Sequence, residues 1–419
     1  MPHSVLRSAS LVAALTAGII ACSTGTSMAQ NASGGDGSWM RRHDTNGDGL
    51  IQRSEAPAAV ARAFDALDTD GDGALSVREL LRGRAAAEAR QSGGTPAPPA
   101  APSIRPETPA DPIDDAMQSL IATKGLAGAA VIVRRVGSDD DVERRYYGTY
   151  NAESRVPIAS ATKWFTGVAV AATAEQAGRS LDMPVGNCIP GLAPDRAAIT
   201  VRQTLGHVSG LPSLGPAAER AHADLEASVA SLMRLPVVGA PGEVFVYSGT
   251  AMQVAARCAE ILAGKDFRTL FAGTITGPLG LTRTGFAAEG APVTGGGLWS
   301  TPHDLEQFTA MIAGRGAAGD VRVLSPEAFD DISRLVSPAH ARIVEIPDAA
   351  RGFEGMATGM WCERALPSGA CAVVSSAGAF GTYAWVDYEA GLYGVFVVQS
   401  RLPDVWPTWV AIRAALGSR

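Results

Sequence analysis

Apolar and polar positions change their spacing several times along this chain, and each change marks an element. Residues Ile113 to Thr123 read as an amphipathic helix. Ala129 to Arg135 and Val142 to Tyr147 look like antiparallel strands joined by the turn-prone run from Gly137 to Asp141. Ser160 to Ala174 is apolar almost all round, with Trp164, Phe165, Val168 and Val170, which predicts a buried helix. Helix-rich sequence continues to about Arg315. Strand patterns return at Ala372 to Ser376, Tyr383 to Asp387 and Leu392 to Gln399, and a last helix is predicted from Val405 to Leu416. Early and late strands flanking a helical middle predict an α+β fold: one antiparallel sheet with flanking helices and an inserted helical subdomain.

Upstream of this region the pattern is different. Residues 36–90 are short, charged and helical, with two aspartate-rich loops, and predict a small all-α unit. Residues 91–112 hold seven prolines and resemble a semi-extended linker. Residues 113–419 form the large globular part. At the N-terminus, Arg7 precedes an apolar run from Leu11 to Ala21 and then small polar residues, the layout of an export signal. Two cleavage points fit: after Ala29, giving a signal of residues 1–29, or after Ala21, where Ile19-Ile20-Ala21-Cys22 looks like a lipobox and makes Cys22 a candidate lipid anchor. The expected location is therefore the periplasm or, for a lipoprotein, the outer membrane, with secretion as the alternative. No other segment reaches the eighteen or so apolar residues of a membrane helix.

Charge narrows the partners. A net charge of −7 and a pI near 5.5 give no electrostatic footprint for nucleic acid. Export implies an oxidising compartment, and Cys188, Cys258, Cys362 and Cys371 allow three pairings. Cys362 and Cys371 flank the turn-like Leu366-Pro367-Ser368-Gly369, which suits a hairpin disulfide. Two unpaired buried thiols are an equally good reading for Cys188 and Cys258.

The two acidic loops carry the first chemistry. Residues Asp44 to Glu55 and, twenty-four positions later, Asp68 to Glu79 each fit the twelve-residue pattern that surrounds Ca²⁺ with oxygens. Candidate ligands are Asp44, Asn46, Asp48, the Leu50 carbonyl and Glu55 in the first loop. In the second they are Asp68, Asp70, Asp72, the Ala74 carbonyl and Glu79. Gly49 and Gly73 permit the sharp turn, and Ile51 and Leu75 at the eighth positions are placed to pair across the loops. Both loops closely resemble EF-hands, which implies two Ca²⁺ sites, with structural stiffening favoured over sensing.

The second chemistry rests on a lysine. Only Lys124, Lys163 and Lys265 occur in the whole sequence, and Lys163 follows Ser160 by three residues. Arginine keeps its proton at any useful pH, whereas a desolvated lysine can release it. A Ser-x-x-Lys pair on a helix puts both side chains on one face, where a neutral amine can take the hydroxyl proton and activate a nucleophile.

Further segments follow in order: Gly206-His207-Val208-Ser209-Gly210-Leu211-Pro212, then Pro241-Gly242 and Tyr247-Ser248-Gly249, Gly277 to Phe286, and Gly295-Gly296-Gly297-Leu298-Trp299-Ser300-Thr301. Together with Ser160 and Lys163 these resemble the serine β-lactamase-like hydrolases, a superfamily of class C β-lactamases, D-alanyl-D-alanine carboxypeptidases and β-lactamase-like carboxylesterases. The resemblance covers about Ile113 to the C-terminus and implies a transpeptidase-like fold that hydrolyses without a cofactor. It further implies Ser160 as the acylated nucleophile, Lys163 as its partner and Tyr247 in proton transfer. An oxyanion hole would be formed by the N–H groups of Ser160 and Ala379.

Two departures bear on substrate. The second motif has Gly249 where class C enzymes carry an asparagine. The third has Ser376 in Ser376-Ala377-Gly378 where relatives carry lysine or histidine, with Ser375 as an alternative register. Ester or D-amino-acid amide cleavage is thus expected ahead of β-lactamase or D-alanyl-D-alanine carboxypeptidase activity, on a small-molecule or cell-wall-type substrate. The reading from another class is an inactive, calcium-dependent binding protein. A Gly-x-Ser-x-Gly elbow is absent from the sequence, and its histidines lack zinc-ligand spacing. His207 is expected to structure its loop, and Trp385, Trp406 and Trp409 to pack in the core.

Overall fold

A computed structural model describes residues 43, 51–68, 73–75, 111–138, 140–287, 289–337 and 341–417. The chain divides into two compact units, residues 1–107 and 108–419. The export signal, most of the proline-rich stretch, and Asp44, Asn46, Asp48, Leu50, Asp70, Asp72 and Glu79 lie outside the described residues.

In the smaller unit, β1 (Ile51–Gln52) pairs antiparallel with β2 (Ala74–Leu75), and Ile51 stands opposite Leu75. This is the expected ladder between the two loops. Short helices α1 (Ala58–Ala61) and α2 (Phe64–Leu67) connect the strands. Ile51, Val60, Phe64, Leu67 and Leu75 bury their side chains together, so the ladder sits on a small core of its own.

The larger unit opens with α3 (Pro112–Lys124). The Asp111 carboxylate accepts the Ile113 N–H at its start, Pro112 occupies the first turn, and Gly125 closes it at φ 58°. The strands that follow are β3 (Gly128–Arg135), β4 (Asp141–Gly148), β5 (Val156–Pro157), β6 (Val244–Val246), β7 (Trp299–Ser300), β8 (Ala317–Ala318), β9 (Val321–Arg322), β10 (Arg342–Glu345), β11 (Gly355–Met356), β12 (Trp361–Ala365), β13 (Cys371–Ala377), β14 (Tyr383–Asp387) and β15 (Leu392–Val398). Seven of them form one antiparallel sheet in the order β11-β12-β13-β14-β15-β3-β4. The N-terminal hairpin therefore sits beside the C-terminal strands, with Val131 opposite Phe396 and Ile132 opposite Val395.

Alternation along the central strands feeds two apolar layers. Ala130, Ile132, Val374, Ala384, Val395 and Val397 face a helical side that includes α4 (Thr162–Gln176), α5 (Gly249–Ala263) and α6 (Pro302–Ala313). Ala129, Val131, Val133, Trp385, Phe396 and Val398 face α3 and the C-terminal helix α7 (Leu402–Gly417). Trp385 and Trp409 are buried in that second layer and Trp406 packs on it, so this trio is core. The strands β11 and β12 escape the sequence pattern because one is a two-residue edge and the other mixes Glu363 and Arg364 into its run. Cys362 and Cys371 are disulfide-bonded across the β12–β13 hairpin, whereas Cys188 and Cys258 are free and buried.

Candidate active site

Ser160 lies in a single 3₁₀ turn, Ala159–Ala161, that runs directly into α4. The turn is strained, since Ala159 has φ 45°, a region costly for any residue with a Cβ. Hydrogen bonds hold it there. The Thr162 hydroxyl donates to the Ala159 carbonyl at 2.6 Å and accepts the Leu298 N–H at 3.1 Å, while the Ile158 N–H donates to the Leu298 carbonyl at 3.0 Å. Pairing of β5 with β7 continues this link, which explains why the Gly295–Thr301 segment belongs to the site.

Lys163 is almost fully buried, at 4% exposure. Its Nζ lies 3.2 Å from the Ser160 Oγ and donates to the Gly295 carbonyl at 2.6 Å. The same atom is 4.5 Å from the centre of the Tyr247 ring. Gly295 is fixed through its neighbour: the Thr294 N–H donates to the Gln253 Oε1 at 2.9 Å, and the Thr166 hydroxyl donates to the Thr294 carbonyl at 2.7 Å.

Tyr247 follows β6 and stacks on Trp361, with ring centres 5.0 Å apart and planes 21° apart. His207 backs it at 4.8 Å. His207 is fully buried at φ 59°; its carbonyl accepts the Val246 N–H at 2.9 Å and its Nδ1 accepts the Ser248 N–H at 3.2 Å. Burial, and then the charge of Lys163, hold the imidazole well below its ordinary pKa, so it is a neutral brace for the Tyr247–Ser248 turn. The loop-structuring reading of His207 agrees with this geometry.

The end of β13 closes the site from the sheet. The Ser376 Oγ is 3.4 Å from the Ser160 carbonyl oxygen. Gly378 packs so closely that a Cβ there would stand 2.1 Å from the Ile158 carbonyl oxygen. Ala379 and Phe380 form an exposed turn, in which the Gly381 N–H bonds the Gly378 carbonyl. Ser375, the alternative register, points its buried hydroxyl at no partner among the described residues. Ser160, Lys163, Tyr247 and Ser376 are thus brought together, with Ala379 on the turn that follows.

The sequence pattern overlooked two contributors. Trp361 supplies the face on which Tyr247 stacks. Glu219, on the short helix Pro216–Arg220, is 1% exposed, and a Cβ on Gly249 would lie 2.2 Å from its Oε1. The glycine at 249 was the only sequence signal that something else fills this space. Beside the site is a cavity of about 450 Å³ lined by Pro157, Arg220, Phe286, Val293, Trp299 and Phe380. It does not touch Ser160, but Pro157 and Phe380 border the two segments that carry Ser160 and Ala379.

Of the predicted calcium ligands, Glu55, Asp68 and Ala74 are described. The Glu55 carboxylate accepts the Gln52 N–H at 3.0 Å, and the Asp68 carboxylate accepts the Gly73 N–H at 3.0 Å across its loop. Among the described residues no cluster of three metal-ligating side chains is present.

A sheet backed by helices, with serine, lysine and tyrosine meeting at one end of it, defines a class of serine hydrolase. The chain belongs to the β-lactamase family, whose model matches residues 113–416, and the EF hand family model matches residues 60–83. Protein Rv1367c of Mycobacterium tuberculosis is 26% identical over 304 residues, covering 57% of this chain and 72% of its own length. A β-lactamase-like protein from Bacteroides dorei superposes with a TM-score of 0.65 at 28% identity, over 72% of this chain and 98% of its own. A D-stereospecific amidohydrolase from Streptomyces shares the fold, with a TM-score of 0.53 at 21% identity over 70% and 95%.

Proposed function

We propose that Ser160 attacks the carbonyl carbon of an ester or amide and carries the acyl group as a covalent intermediate. The contact between Lys163 Nζ and Ser160 Oγ is the observation that carries this reading. In its neutral form Lys163 takes the hydroxyl proton as the new C–O bond forms. Negative charge then gathers on the carbonyl oxygen and is met by the N–H groups of Ser160 and Ala379. Lys163 then passes its proton to the Tyr247 oxygen as the Tyr247 hydroxyl gives its own to the leaving group, and the carbonyl carbon's bond to that group breaks, leaving the acyl group on Ser160. Water, giving a proton to the same groups, then attacks the acyl carbon; the bond to Ser160 Oγ breaks, Oγ recovers the proton, and the acid is released.

Ester and D-amino-acid amide substrates rank ahead of β-lactams. The site lacks a side-chain amide at 249 and a cation at 376, and a lost charge-assisted hydrogen bond costs about 1.5–3 kcal/mol. The cavity beside Phe286 and Trp299 suits an apolar portion of the substrate. A panel of p-nitrophenyl esters, a D-Ala-D-Ala peptide and nitrocefin tests the ranking. Ester turnover at least tenfold above nitrocefin is expected, and efficient nitrocefin turnover reverses the order.

The smaller unit is proposed to bind two Ca²⁺ ions through the loop residues named above. The family match, the β1–β2 ladder and the Asp68 carboxylate turned in across its own loop support it. Export through residues 1–29, or through a lipidated Cys22, is proposed from the sequence pattern; intact mass of the cell-envelope form distinguishes the two.

A further inference from the structure

Glu219 is a buried carboxylic acid with no role in the reaction as written. Its Oε1 has no hydrogen-bond partner among the described residues, an arrangement that costs folding energy and calls for a reason. The carboxyl group occupies the space that a side chain at 249 would fill. Gly249 in turn abuts Gly295: a Cβ on Gly295 would lie 2.6 Å from the Gly249 Cα and 3.5 Å from the Lys163 Nζ. The acid therefore lies against Gly249 and the amine near Gly295, the two glycines are in contact, and neither backbone position leaves room for a screening side chain. The charges that act on Glu219 are Lys163 on α4 and Arg220 beside it on its own helix.

We propose that Glu219 is a positioning residue of the hydrolytic site, a buried counter-charge that controls how readily Lys163 releases its proton. The proposal rests on Lys163 being the base for Ser160. Burial raises the Glu219 carboxyl to about 7, against a smaller opposing pull from Lys163 and Arg220. Glu219 therefore changes charge within the range in which a hydrolase works. As a carboxylate it favours the ammonium form of Lys163; as a neutral acid it leaves the amine free to act.

The test is the rate of Ser160 labelling by a fluorophosphonate as a function of pH, in wild type, Glu219→Gln and Glu219→Asp. Removing the charge should move the rising limb to lower pH by about one unit, a tenfold gain in rate on that limb. Glu219→Asp, which keeps the charge, should stay near wild type. If Glu219→Gln fails to fold, Glu219→Met, a neutral side chain of similar volume, serves for the same comparison and leaves Gly249 unchanged. Identical profiles in wild type and the neutral variants overturn this role alone. Absence of labelling in every form overturns the nucleophile assignment and this role together.

Discussion

Lysine at 163, in a chain that otherwise prefers arginine, touches the Ser160 hydroxyl and is the residue on which the proposed chemistry rests. Lys163→Arg keeps the charge but cannot give up a proton, so ester turnover should fall about as far as in Lys163→Ala. Retention of more than a tenth of wild-type kcat would show that a fixed cation suffices. Stability at Glu219 gives a second, independent measurement. Its folded-state value of about 7 lies above the ordinary 4.5, so the folded protein holds a proton that the unfolded chain releases between those values. Wild type should therefore lose stability as pH rises through this window, and Glu219→Gln should not show that loss, as urea midpoints across the range will report. Ser160, Lys163 and Tyr247 were legible because each sits in a short motif. Glu219 was not, because nothing in Pro216–Arg220 announces that its acid reaches a glycine thirty residues later.

Elements were read well where burial was two-sided or alternating, as in α4 and β13–β15, and poorly at the sheet edge, where β11 and β12 carry little pattern. The sequence placed a helix from Ser160 onward; the structure begins with a strained 3₁₀ turn. That difference comes from Thr162 and Leu298, which hold the Ala159 carbonyl and the following backbone in place from another part of the chain. Between elements, Glu306 on α6 is 2% exposed and pairs with Arg134 on β3 and Arg144 on β4. Glu306→Ala leaves two guanidinium groups without their shared anion and should cost about 3–5 kcal/mol in chemical denaturation. A loss under 1 kcal/mol would mean that Asp141 and solvent carry those arginines unaided.

Across the whole molecule, acidic loops give way to a proline-rich run and then to alternating strands, and the chain divides into units of residues 1–107 and 108–419. The proline-rich run has few apolar residues with which to dock, so calcium is expected to act on the smaller unit alone. Calcium should raise the melting temperature of residues 36–90 while ester turnover with calcium and with chelator agrees within twofold. A large calcium effect on turnover, lost when the chain is begun near Asp111, would contradict that independence.

The central claim is an acyl group on Ser160, and intact-mass spectrometry after exposure to a fluorophosphonate measures it most directly. Wild type should gain the mass of one adduct, mapped to the peptide containing Ser160, and Ser160→Ala should gain none. Equal labelling of both proteins, or an adduct on another residue, would contradict the account.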